Sequence, residues 1–126
     1  MRTLEQVHPK LRESVPKILA AMSDLGFPMM VTDTLRTVDE QQALYAQGRT
    51  KPGPIVTNCD GVKTKSNHQA HDDGLGHAVD MTFVINGAPS WDTRLPWKLY
   101  GLIAQTLGLT WGGSWKALTD LPHIEV

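Results

Sequence analysis

The 126-residue chain contains a single cysteine, Cys59. One thiol cannot close an internal disulfide, and its isolation excludes a cysteine-rich zinc site, so a metal here would have to be held by histidine and carboxylate. An excess of charge of one sign is also missing, with 12 Lys+Arg against 13 Asp+Glu and a net charge of −1. The basic residues are scattered, which leaves no electrostatic footprint for nucleic acid or an anionic membrane. No apolar run is long enough to span a bilayer, and no membrane insertion is expected. The opening stretch MRTLEQVHPKLRESVPKIL has charges and prolines where a secretory leader needs an unbroken apolar core. Synthesis in the cytoplasm is the expectation. Internal repeats and low-complexity tails are absent too. What is present is ordinary in bulk: 40% hydrophobic residues over a length that suits one compact domain spanning residues 1–126.

Apolar residues Leu11, Val15, Ile18, Leu19 and Met22 recur at helical spacing between Leu4 and Leu25, with Gly26 placed as a stop and Pro9 or Pro16 marking an early break. Residues 27–32, FPMMVT, read as a strand, and VDEQQALYAQG as a second helix capped by Thr37 and closed at Gly48. Residues 49–75 carry turn formers and little hydrophobic period. A structureless stretch of this length in a small domain is often functional. HAVDMTFVI then reads as a strand, NGAPSWD as a turn, Leu95 to Leu107 as a third helix, LGLTW as a short strand and HIEV as the last. Helices and strands mix without regular alternation, which predicts an α+β domain, an antiparallel sheet with about three helices.

The stretch SNHQAHDDGLGHAVD, residues 66–80, holds three histidines and three aspartates in fifteen positions. Strand alternation puts Ala78, Asp80 and Thr82 on one side and His77, Val79, Met81 and Phe83 on the other, which demotes His77 as a partner of Asp80. Asp72 and Asp73 precede Gly74 as ordinary turn chemistry. His68 and His71 both lie in the preceding loop, and spacing does not choose between them. Near the C-terminus, Pro122 restricts the backbone before His123. Asp120 lies three residues earlier and Glu125 shares the strand face of His123, so either carboxylate could serve as a base. A catalytic zinc site takes three nitrogen or oxygen ligands, leaves a position for water, and needs a carboxylate to receive the water's proton. These residues meet that specification. Arg36, between strand and helix, reads by position as a partner of Asp33 or Asp39. Cys59 reads as a plain loop thiol with no evident histidine partner.

VHPKL, LRTVDEQQALYAQGRTKPGPIVTN, SNH…GLGHAVD and WGGSWKALTDLPHIEV together resemble the zinc peptidases of bacterial cell-wall peptides. That family includes D-Ala-D-Ala carboxypeptidases and dipeptidases and the L-alanyl-D-glutamate endopeptidases used as phage endolysins. The resemblance implies a fold of the kind shared by DD-peptidases and Hedgehog-type domains, a Zn²⁺ cofactor and a peptidoglycan stem peptide as substrate. The family motif Ser-x-His-x-x-Gly-x-Ala-x-Asp maps onto Ser66, His68, Gly76, Ala78 and Asp80 with five extra residues inserted. It makes His68 and Asp80 metal ligands, with His71 as the alternative across the insertion. A carboxylate three residues before the third ligand maps onto Asp120 and His123, with Glu125 as the competing base. Arg36 matches an arginine near the scissile carbonyl in relatives. Ser66, Trp111 and Trp115 are expected at the substrate, with Gly112 and Gly113 shaping the cleft, and Gln41 and Tyr45 in packing or support. The implied activity is cleavage between L-Ala and D-Glu by a monomeric endolysin that reaches the periplasm through a holin lesion. The alternatives are a D-Ala-D-Ala carboxypeptidase or dipeptidase, and a non-catalytic zinc-binding module of the same fold.

Overall fold

A computed structural model describes residues 3–126. Helix α1, Pro9–Asp24, begins where Pro9 occupies the first turn, and the ring of His8 accepts a hydrogen bond from the Lys10 amide. Proline suits that position because its missing N–H would have no partner there. Pro16 lies inside the helix on an exposed side, so the expected break falls at Pro9 alone. Gly26, at φ +91°, ends the helix in the left-handed region open to glycine.

Strand β1, Met29–Asp33, leads into α2, Val38–Ala46. The hydroxyl of Thr37 accepts from the Glu40 amide, the cap expected from the sequence, and the Glu40 carboxylate accepts from the Thr37 amide in return. After a long irregular segment come β2, Ala78–Ile85; β3, Ala88–Ser90; α3, Trp97–Thr106; β4, Thr110–Trp111; and β5, His123–Glu125. The expected turn at 86–92 thus contains a short strand. Asn86 and Gly87, both at positive φ, form a two-residue hairpin that folds β3 back on β2.

All pairings of these strands are antiparallel, in the order β1-β2-β5-β4, with β3 also on β2. Asp80 pairs with both Asp33 and His123, so β1 and β5 flank opposite edges of β2. One sheet face is apolar: Val79, Met81, Phe83 and Ile124 join Leu11, Val15, Ile18 and Met22 of α1 and Trp97, Tyr100 and Ala104 of α3 in the core. Alternation puts Asp80 and His123 on the other face, toward the loops, as the sequence pattern predicts.

A bulge aligns that polar face. Val31 pairs with Met81 but Asp33, not Thr32, pairs with Asp80, so one extra residue sits in β1. Cross-strand partners share a face, and the bulge therefore brings Asp33 beside Asp80. Two carboxylates placed opposite each other repel, and a cation is needed to hold them.

Candidate metal centre

His68, Asp80 and His123 come together at one point of the polar face, and each offers a ligand atom. His68 Nε2 lies 3.2 Å from Asp80 Oδ1 and 3.2 Å from His123 Nδ1, and His123 Nδ1 lies 3.3 Å from Asp80 Oδ1. The outer nitrogens are already engaged. His68 Nδ1 lies 2.9 Å from the Thr34 carbonyl, and His123 Nε2 lies 2.7 Å from Glu125 Oε1. Oxygen acceptors there place the ring protons outward, so both inner nitrogens present lone pairs toward a carboxylate oxygen. With both rings neutral the three inner atoms are all acceptors, and such a group makes a site for a cation. A tetrahedral centre with bonds of about 2.0–2.1 Å spaces its ligands by about 3.3 Å, so the donor set fits a zinc-sized ion.

Electrostatics point the same way. Burial opposes the charge on Asp80, but the two imidazoles outweigh it and hold the carboxyl well below the usual range. Burial also opposes a charged His123, but hydrogen bonds that its ring donates to Asp80 and Glu125 raise its pKa to about 9. The field that holds a proton on that ring in the metal-free protein attracts a cation to the same place.

His68 reaches the sheet because its loop is tied at the neck. The His77 amide donates to the Asn67 carbonyl at 2.7 Å, and the Arg36 amide donates to the His68 carbonyl at 2.8 Å. Gly76 permits this approach, since a Cβ there would lie 3.0 Å from that carbonyl. The inserted residues leave as a closed excursion between these ties. His71 is carried away from the centre: its amide bonds to Leu75 and its ring stacks on His77 at 3.6 Å. It is outside the group formed by His68, Asp80 and His123. His77 bonds to Asp73, the role that strand alternation left to it.

The turn carrying Asp120 and His123 is anchored from the core. Tyr100 Oη donates to the Pro122 carbonyl and Trp111 Nε1 to the Leu121 carbonyl, each at 2.8 Å. Trp111, expected at the substrate, is instead packed in the core, its ring lying where side chains on Gly101 and Gly113 would go. Gly112 lets the turn close: a Cβ there would lie 2.5 Å from the Asp120 carbonyl oxygen. Asp120 Oδ2 then stands 3.8 Å from His123 Nδ1. Burial and the nearby Asp80 raise its pKa.

Glu125, the other carboxylate near His123, is engaged on both of its oxygens. Its Oε1 takes the outer proton of His123, and its Oε2 accepts from Asn67 Nδ2 at 2.6 Å. It orients the imidazole from the side opposite the metal group. Glu125→Gln should weaken zinc affinity about 10–100-fold, measured by chelator competition, because the negative partner of His123 is lost and an amide N–H2 would face Asn67.

Arg36 is held between two elements of the site. Its Nε and Nη2 donate to Asp33 Oδ2 at 3.1 and 2.6 Å, and Nη1 donates to Gln41 Oε1 at 2.7 Å. Nη2 lies 3.7 Å from Asp80 Oδ2. The guanidinium is the cation that reconciles Asp33 with Asp80, and it holds the Asp80 oxygen that does not face the imidazoles. This agrees with the positional reading of an Asp33 pair, and Arg36 also lines the cleft beside the metal group. Gln41, fully buried, passes the tie onward through Nε2 to Thr57 and the Cys59 carbonyl. Tyr45 packs under the Arg49 guanidinium, away from the centre. Asn67 was not singled out from sequence, and Asp33 was named only as a partner of Arg36, not as a neighbour of the metal group.

The centre opens into a cleft of about 650 Å³ whose lining includes Arg36, Lys65, Ser66, Trp115, Asp120 and Glu125. Trp115 lies over His123, ring centroids 5.0 Å apart. The Ser66 hydroxyl accepts from the His68 amide at 3.2 Å, so it shapes the ligand loop as well as lining the cleft.

The profile of a family described as D-alanyl-D-alanine carboxypeptidase matches residues 60–126. CwlK of Bacillus subtilis, a peptidoglycan L-alanyl-D-glutamate endopeptidase, is 33% identical over 129 residues that cover 95% of this chain and 73% of CwlK. The chain belongs to this peptidase family. Among solved structures, the L-Ala D-Glu endopeptidase ChiX of Serratia marcescens superposes with a TM-score of 0.66 at 27% identity, covering 98% of this chain and 82% of ChiX. The D,D-pentapeptidase VanY, solved as a mutant with Zn(II), gives 0.63 at 16% identity over 94% of this peptidase and 71% of VanY, a likeness of fold. The family match spans the inserted loop, both sheet-borne members of the metal group and Asp120.

Proposed function

We propose that this peptidase is a zinc-dependent peptidoglycan hydrolase that cuts the stem peptide between L-Ala and D-Glu. The convergence of three acceptors from His68, Asp80 and His123, with Asp120 beside them in an open cleft, carries this reading. The activities named for CwlK and ChiX support the choice of bond. Zinc bound by the three residues would supply Lewis acidity to a water and to the scissile carbonyl. Asp120 accepts the proton of the attacking water and delivers it to the leaving amine. Glu125 and the Thr34 carbonyl hold the two imidazoles in the tautomers that face inward, and Arg36 keeps Asp80 aimed. Trp115 forms a wall of the cleft against which the peptide lies.

Digestion of purified peptidoglycan, read by mass, tests the reading. Zinc-loaded protein should release fragments cut between L-Ala and D-Glu, and a chelator should stop the digestion until zinc is restored. Loss of terminal D-Ala alone would make the enzyme a carboxypeptidase; zinc-dependent binding without cleavage would make it a binding module. The motif likeness to endolysins supports a further role as a monomeric phage or prophage lysin released by a holin. In that role, cells producing the enzyme lyse when a holin is co-expressed and stay intact without it.

A further inference from the structure

Besides the histidines, two basic side chains line the cleft, Arg36 and Lys65, and their situations differ. Arg36 is 11% exposed in its side chain and is bonded to Asp33 and Gln41, so its charge is offset before any substrate arrives. Lys65 is exposed, immediately precedes Ser66 in the ligand loop, and makes no hydrogen bond or ion pair among the described residues. The remaining charged lining is acidic, from Asp80, Asp120 and Glu125.

The proposed scissile bond joins an alanine acyl group to a glutamate nitrogen. Glutamate has two carboxyls and a peptide chain uses one, so the residue bearing the leaving nitrogen brings one free carboxylate within a few bonds of the reacting amide. An anion carried that close to Asp120 needs a compensating cation. A lysine ammonium, with three donors on a flexible stem, can reach the free carboxyl at either of its two positions on the glutamate.

We infer that Lys65 binds this free carboxylate and makes the enzyme selective for stem peptides in which it is ionised over those in which it is amidated. The inference rests on the scissile bond proposed above. Lys65 acts here as a specificity-determining residue, and the discrimination weakens as salt screens the pair.

The test compares kcat/KM of the zinc-loaded enzyme on two synthetic stem peptides that differ only in whether the glutamate carboxyl is free or amidated, with product masses reporting the bond cut. The wild-type enzyme should favour the free carboxylate about fivefold, the upper end of what an exposed ion pair supplies. Lys65→Gln should bring the ratio toward one, and Lys65→Arg should keep it. A ratio near one in the wild type, or a preference that survives in Lys65→Gln, overturns the role of Lys65 while leaving the scissile bond standing. Products cut at a different bond overturn the underlying reading and the inference with it.

Discussion

Asp120→Asn should keep its zinc and lose about 10²–10⁴ in turnover, the range that general-base catalysis supplies. The substitution preserves shape, and the backbone bond from the residue 120 amide to the Gly112 carbonyl does not depend on the side chain. The inward nitrogen of His123 lies 3.8 Å from Asp120 Oδ2, beyond hydrogen-bond reach, so the metal group should form without the carboxylate. What disappears is the ability to take a proton. Burial and the charge of Asp80 raise the affinity of Asp120 for that proton, as suits a base that must later return it. Metal content by elemental mass spectrometry, together with turnover of muropeptides, checks the result. Full activity in the variant would remove Asp120 from the mechanism.

Replacing Asp80 should be more damaging to metal binding than any change at the periphery of the site. Its Oδ1 faces both imidazoles, its Oδ2 faces Arg36, and its backbone sits mid-sheet between Asp33 and His123. Asp80→Ala removes one of three ligands and the negative charge that draws the ion. The loss of zinc affinity should exceed the roughly 10–100-fold expected for Glu125→Gln, since that residue acts only through His123. Chelator competition measures the difference, and a thermal melt of the metal-free protein separates loss of ligation from loss of fold. Asp80→Asn keeps the side-chain shape and should also lose most of the affinity, because the amide brings no charge. Near-normal zinc affinity in both variants would mean that the metal is held elsewhere.

The elements that could be read from sequence are those whose determinants are local. Helix α1 follows from apolar spacing and a glycine stop, α2 from the Thr37 cap, and the orientation of Asp80 from the two-residue period of β2. Strand β3 escaped because three residues after an Asn-Gly turn carry too little pattern to separate strand from loop. Trp111 was misplaced for a different reason. Its residue type fits both a cleft and a core, and only the two glycines that accept its ring decide between them.

The site divides along the same line. Sequence alone determined the inventory: histidine and carboxylate as the available metal ligands, a loop and a C-terminal turn as their carriers, and a choice between two histidines and between two bases. These follow from residue types and short spacings, which chain distance does not blur. Tertiary structure decided which of these groups stand together. The neck bonds from His77 to Asn67 and from Arg36 to His68 keep His68 at the sheet and send His71 outward. The bond from His123 to Glu125 commits that carboxylate to orientation and leaves Asp120 facing the cleft. A bulge in β1 brings Asp33 opposite Asp80 and so draws Arg36 into holding a ligand. Each of these outcomes depends on which distant backbone and side-chain groups find one another when the sheet assembles, and that pairing is written in no single stretch of the chain.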